Sequence, residues 1–237
     1  MKRLLALPLV CLGLFSCIAI AEDADSSAAN SDADTVVLYG GGDLSGWIGR
    51  QDLWSAEDGE IVGRTTDEKP IQGNTFLIYD KEEFSDFELT AQFKIDGGNS
   101  GIQYRSRVVD PDDFVVAGYQ ADIDSTNKFS GILYEEKARG ILALRGQKVT
   151  IGADGEKTME QFGDSDKIAA SIHPGKWNEY RVIADGNHLQ HYINGVLTAE
   201  VIDNQSDKAA ESGVIALQLH RGPAMTMRFK NIKLRKL

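Results

Sequence analysis

The stretch "DFELTAQFKI", residues 86–95, decides the fold. Phe87, Leu89, Ala91, Phe93 and Ile95 fall on one parity, and Glu88, Thr90, Gln92 and Lys94 on the other. Successive side chains of a strand point to opposite faces, so the pattern predicts a half-buried antiparallel strand. The same period runs through "GVIALQLHRG", residues 213–222, where Ile215, Leu217 and Leu219 alternate with Ala216, Gln218 and His220. Between such runs stand hairpin signals: "EDGE" at 57–60, "ADGN" at 184–187, and Asn194-Gly195. Asp-Gly and Asn-Gly tolerate the positive φ that tight hairpins need. The 24 glycines mark many further turns, and "DSDKIAAS" (164–171) alone suggests a short helix. Many short strands joined by turns predict an all-β sandwich or jelly roll of two antiparallel sheets, without a second domain or an internal repeat.

The N-terminus reads as an export signal over residues 1–21. Lys2 and Arg3 precede the apolar run "LLALPLVCLGLFSCIAIA", and "AIA" (19–21) offers a small-residue cleavage site. "LFSC" offers another, which would leave Cys17 as a lipidated first residue. Such an anchor would be the only membrane attachment expected. The chain is then expected in the periplasm, outside the cell, or lipid-anchored at the cell envelope. Residues 22–34, rich in Asp, Ser and Ala, have little to bury and read as a disordered acidic leader. Residues 35–237 form the expected domain. Both cysteines, Cys11 and Cys17, lie in the signal, so the domain has no disulfide and no thiol nucleophile. The formal charge is −11, and loss of Lys2 and Arg3 leaves 23 basic against 36 acidic residues, or −13. That charge repels nucleic acid and anionic lipid and suits a neutral ligand. The basic end "KNIKLRKL" alternates as a strand, with Ile232 and Leu234 against Lys233 and Arg235, so its cations read as outward residues of the last strand.

Several phrases accumulate in order: "LYGGGDLSGW" (38–47), "GNSGIQYRS" (98–106), "HPGKWNEYRVIADGNHLQHYINGV" (173–196), "GVIALQLHRG" (213–222) and "MRFKNIKL" (227–234). As an ordered set, from about Thr35 to Leu237, they resemble the 3-keto-disaccharide hydrolase domain family. The third phrase alone also resembles the wider concanavalin A-like sandwiches, lectin domains included. The resemblance implies a concanavalin A-like jelly roll whose concave face takes sugars. It also implies cleavage of glycosides whose C3 hydroxyl has been oxidised to a ketone, with an oxidised disaccharide or glycoside as substrate. Many relatives carry a Glu and then a Gln where this chain has "GYQADID" (118–124). A role held by that glutamate would pass here to Asp122.

A 3-keto sugar has an acidified C2 hydrogen. Its removal gives an enolate, the anomeric substituent leaves, and water can add back. Such a site needs a base, a cation or metal for the enolate oxygen, and a proton for the leaving group. On the outward parity of "GYQADID", Gln120, Asp122 and Asp124 supply a polar face. Asp122 is a candidate base, as His220 is, and Gln120 a candidate sugar contact; the plain alternative is a solvated face. "LYEEKARGIL" (133–142) carries Glu135, Glu136 and Arg139. Spacing does not separate the two glutamates; Glu135 is taken as proton donor, steered by Arg139, against a surface loop of paired charges. "NSGIQYRS" (99–106) places Gln103 and Arg105 on one parity, with Arg105 expected on the enolate rather than in a structural ion pair. His220 is a candidate proton carrier, with Gln218 to bind sugar hydroxyls or orient it. No cofactor is demanded, although His220, Asp122 and a glutamate are suitable ligands for a divalent metal. His188 and His191, three apart, fall on opposite faces of a strand, and Trp47, Trp54 and Trp177 read first as packing residues. Two rival functions remain: a non-catalytic carbohydrate-binding or lectin-like module using the same face, and an ordinary glycosidase with two carboxylates.

Overall fold

The computed structural model describes Met1 and residues 34–237. The expected export signal, with Cys11 and Cys17, and the leader up to residue 33 lie outside the described residues. Among the described residues, seventeen strands form two sheets, and one short helix lies outside them. The larger runs β12 (Lys157–Gln161), β11 (Gln147–Ile151), β15 (Val196–Asp203), β14 (His188–Ile193), β13 (Asn178–Asp185), β6 (Phe87–Asp96), β17 (Met225–Lys236), β4 (Glu60–Thr65), β3 (Trp54–Glu57), and β1 (Thr35–Tyr39) also pairs with β17. The smaller runs β10 (Gly140–Ala143), β9 (Leu133–Glu136), β8 (Val115–Asp124), β7 (Asn99–Asp110), β16 (Val214–Leu219), β5 (Thr75–Tyr79), β2 (Trp47–Ile48). The ladders are antiparallel except β11 with β15, which is parallel. The helix α1 spans Ser165–Ala169, capped by the Asp164 carboxylate.

The alternation read from the sequence holds. Along β6, Phe87, Leu89, Ala91, Phe93 and Ile95 are buried while Glu88, Thr90, Gln92 and Lys94 are half-buried. Their partners across the core come from the smaller sheet, chiefly Ile102, Tyr104, Tyr119, Ala121, Ile123, Ile215, Leu217 and Leu219. The hairpins also form as read, with positive φ at both Asn194 (51°) and Gly195 (79°). Strand β17, last in the chain, lies inside the larger sheet between β6 and β4 rather than at its rim. Among its outward cations, Arg228 pairs with Glu60 and Arg235 with Glu88. Trp47 and Trp54 are buried, and Trp177 is half-buried with the Lys230 ammonium 4.0 Å from its ring centre.

One polar residue ties the sheets at mid-core. His191, fully buried, receives the Tyr104 hydroxyl proton at Nε2 (2.9 Å) and donates from Nδ1 to the Ile132 carbonyl (3.2 Å). Burial holds its pKa down to about 3, so the ring is neutral. His188, on the opposite face, instead meets Glu200 at 2.7 Å.

Replacing His191 by Phe strands the buried Tyr104 hydroxyl and takes one of two donors from the Ile132 carbonyl, which keeps the Asp122 N–H. A stranded buried hydroxyl costs about 1–3 kcal/mol, so His191→Phe is expected to lower stability at neutral pH by about that much in urea unfolding. The unfolded histidine protonates near pH 6.5 and the native one only near 3, so wild-type stability from this group is lost as pH falls through that window. The deficit of the variant should therefore narrow on acidification.

Candidate functional site

Strand β8 is buried on both faces. Tyr119, Ala121 and Ile123 enter the apolar core, and Gln120, Asp122 and Asp124 lie on the outward side, yet none of the six is more than 8% exposed. What covers the outward side are the loop after β8, the segment before β5 and the segment after β16. Together they enclose a hollow of about 720 Å³. Gln120 and Asp122 lie on its floor; Asn74, Asn99, Tyr134, Glu136, His220 and Arg221 are among its walls.

Register explains the floor. Gln103 stands opposite Gln120, Gly101 opposite Asp122, and Gln120 opposite Tyr134. The amides run in one direction. Ser106 donates to Gln103 Oε1 (2.7 Å), Gln103 Nε2 to Gln120 Oε1 (2.7 Å), and Gln120 Nε2 to Asp122 Oδ1. Each acceptor assignment fixes the next amide, so the relay ends with a donor aimed at one carboxylate oxygen. The relay needs Gly101: a Cβ there would stand 2.6 Å from Gln120 Cγ and Cδ.

Asp122 is not relieved of its charge cost by these donors. Burial pushes its pKa up to about 7, the Gln120 amide opposes, and the Glu136 and Asp124 charges add to the rise. The carboxyl therefore stands near the midpoint of its titration at neutral pH, where it can take or give a proton. Asp124 is spent differently. It accepts from Thr126 N (3.1 Å), Thr126 Oγ1 (2.8 Å), Lys128 N (2.9 Å) and Phe129 N (3.1 Å), and so shapes the covering loop. Arg145 holds that loop from below through the Asn127 and Ser130 carbonyls (2.9 and 2.8 Å). On the wall, Asn74 donates to Glu136 (3.2 Å) and accepts from the Arg221 backbone (3.0 Å). His220 directs Nδ1 at the Arg221 carbonyl, which leaves Nε2 as the basic nitrogen of the neutral ring.

The structure brings Gln120, Asp122 and His220 to one hollow, with Gln103 beneath as part of the relay. It does not bring Arg105, Glu135 or Arg139 there. A bulge in β7 gives Arg105 a positive φ of 44° and breaks the alternation between Tyr104 and Arg107. The neighbouring strands make room with glycine: a Cβ on Gly118 or Gly213 would lie 2.4 Å from Ser106. Arg105 is thereby turned to the end of the sandwich. There it bonds the Ser85 and Gly186 carbonyls (2.7 and 2.6 Å) and pairs with Asp86 (2.7 Å). Glu135 stands opposite Tyr119 and so points between the sheets. It pairs with Arg139, whose fork also grips Asp203 at 2.6 and 3.1 Å, while the Tyr119 hydroxyl donates to the same carboxylate (2.6 Å). Glu136, one residue on, lines the hollow. Gln218 shares the outward face but is fully buried, does not line the hollow, and neither end of its amide has a hydrogen-bond partner among the described residues. Tyr134, Lys137 and Arg221 lie inside quoted phrases without having been singled out, and Asn74, outside them, carries no sequence signal. Among the described residues no group of three or more His, Cys, Asp or Glu side chains is placed to hold a metal ion.

The fold is shared with solved structures at low identity. A candidate glycosyl hydrolase from Parabacteroides distasonis aligns at 20% identity over 86% of this chain and 99% of its own, with a TM-score of 0.55. The carbohydrate-binding module CBM66 from Bacillus subtilis aligns at 16% over 81% and 96%, with a TM-score of 0.53. A Bacillus subtilis protein of unknown function with a galectin-like fold aligns at 13% over 81% and 90%, at 0.52. These likenesses establish the concanavalin A-like or galectin-like sandwich. No curated protein matches the chain. The sequence profile of the 3-keto-alpha-glucoside-1,2-lyase-like domain matches residues 34–235, from the turn before β1 to the end of β17, and the chain belongs to that family.

Proposed function

We propose that this protein cleaves glycosides oxidised to a ketone at C3, by elimination across C1 and C2. The observation that carries the reading is the buried Asp122 carboxyl, poised near neutrality on the floor of the hollow. With the sugar over Asp122, that carboxylate removes the C2 proton. The C–H electron pair becomes the enolate of the C3 ketone. The enolate then collapses to a C1=C2 bond, the C1–O bond breaks, and the departing oxygen takes up the proton that Asp122 removed, while His220 Nε2 is left to accept from a sugar hydroxyl. Water added across the new double bond gives the net hydrolysis product. Lys137 and Arg221 supply positive charge for the enolate oxygen, the part first assigned to Arg105, and Tyr134 a neutral donor. Burial and the Glu136 charge hold the Tyr134 hydroxyl in its protonated form. Asn99 and Gln120 are placed for sugar hydroxyls. The mature chain is placed outside the cytoplasm on the strength of residues 1–21, with lipidation of Cys17 as the alternative to cleavage after Ala21.

Incubation of purified protein with a 3-keto-glucoside, followed by absorbance of the enone, tests the reaction. Asp122→Asn should lower kcat/KM by about 10²–10⁴-fold. Binding of 3-keto sugars without turnover would instead make the protein a carbohydrate-binding module, and turnover of unoxidised glycosides would make it an ordinary glycosidase. In the wild type, kcat/KM should rise with pH through about 7 as Asp122 ionises. Gln120→Leu removes a donor that favours the charged form and should move that midpoint upward. Gly101→Ala, which displaces the same amide, should do so too.

The same carboxyl predicts a stability signature. Its unfolded pKa is about 3.9 and its native one higher, so the native state holds an extra proton between them and stability falls as pH rises through that window. Asp122→Asn should therefore melt above the wild type at about pH 8 and lose that advantage towards pH 4, as calorimetry would show.

A further inference from the structure

The two sides of the hollow differ in kind. One side carries Asn74, Asn99, His220 and Arg221. The other is the outer edge of the smaller sheet. There the row that begins with Gln103 and Gln120 continues in register to Tyr134 and then Ile141 on β10, the last strand of that sheet. Ile132, beside Asp122, and Phe129 complete this side. Exposure rises along the row, from buried Gln103 and Gln120 through half-buried Tyr134 to Ile141, which is 42% exposed. Polarity thus falls along one cross-strand row, from amides at the centre to an uncovered aliphatic group at the rim.

A hexose ring over Asp122 has its own hydroxyls to satisfy, and the polar wall supplies the partners. The group leaving from C1 must then lie along the other side. A second sugar there could reach the Tyr134 hydroxyl and the Glu136 and Lys137 charges, but any hydroxyl set over the side chains of Phe129, Ile132 and Ile141 would meet neither donor nor acceptor. An apolar group would cover the same side chains and displace the water against them. We infer that the Phe129, Ile132, Tyr134 and Ile141 shelf is the leaving-group subsite, and that the protein prefers 3-keto-glycosides of aromatic or other apolar alcohols over 3-keto-disaccharides. The inference rests on the proposed elimination for its substrate class, but the subsite itself is a matter of binding.

The test compares the 3-keto derivatives of benzyl glucoside and of a glucosyl-glucose disaccharide, each in both anomeric forms. Benzyl alcohol is the poorer leaving group, so chemistry alone favours the disaccharide. The shelf predicts the reverse, with kcat/KM for the benzyl compound about tenfold higher through a lower KM. Ile141→Asp, a change at an exposed position, should cut the benzyl-to-disaccharide ratio by about fivefold. Equal or better turnover of the disaccharide, or an unchanged ratio in the variant, would overturn the inference. A binding arm separates this from failure of the proposed reaction. With unoxidised ligands and calorimetry on the full chain, benzyl glucoside should bind about fivefold tighter than methyl glucoside, and Ile141→Asp should erase the difference. If no 3-keto-glycoside is turned over but this difference appears, the reaction is wrong and the subsite stands. Equal binding of the two glucosides removes the subsite.

Discussion

On the strand Val115–Asp124 the outward side chains Gln120, Asp122 and Asp124 are almost as buried as those that face the core, so alternate side chains meet two opposed physical demands. On the core side Tyr119, Ala121 and Ile123 need only volume and apolar contact. On the outward side Gln120, Asp122 and Asp124 are polar and also buried, and each must find partners or carry a penalty. Asp124 finds four donors and in return sets the covering loop. Gln120 joins a relay of amides. Asp122 receives the end of that relay and remains under-compensated, which is why its pKa rises. The covering loop, the relay and the hollow all follow from burying this strand twice.

Two other buried charged residues are treated in the opposite way. Asp203 sits between a bidentate guanidinium and a phenol; burial would raise its pKa, but the Arg139 hydrogen bonds prevail and lower it. Arg105 has a carbonyl or carboxylate for each of its three nitrogens. Such saturated pairs lock elements together and have no proton or hydrogen bond to offer a ligand. Contrast between compensated and uncompensated burial is what separates the residues that hold the sandwich from the one suited to chemistry.

Two buried titratable groups bracket Ile132. Asp122 lies beside it in the sheet register, and His191 bonds its carbonyl from the core side. Their linkages have opposite sign. The neutral histidine favours the fold at neutral pH and ceases to do so in acid, while the carboxyl favours it in acid and ceases to do so as it ionises. Between about pH 4 and 6.5 the two slopes oppose each other, so the cost of keeping an under-compensated carboxyl buried is partly hidden from any measurement on the intact protein.

What the sequence by itself determined was period and punctuation. The alternation in β6, β8 and β16 and the Asn-Gly and Asp-Gly turns specified an all-β sandwich, and parity alone put Gln120 and Asp122 on the face that became the floor. These are local quantities, readable because side-chain direction in a strand follows from chain position. Only the tertiary structure decided the rest. A bulge between Gly118 and Gly213 turned Arg105 off that face, and the pairing of β9 with β8 sent Glu135 inward and Glu136 to the hollow. Both outcomes depend on which residue of a neighbouring strand stands opposite. A shift of one residue reverses every side chain that follows, and that register is set by contacts between residues distant in the chain.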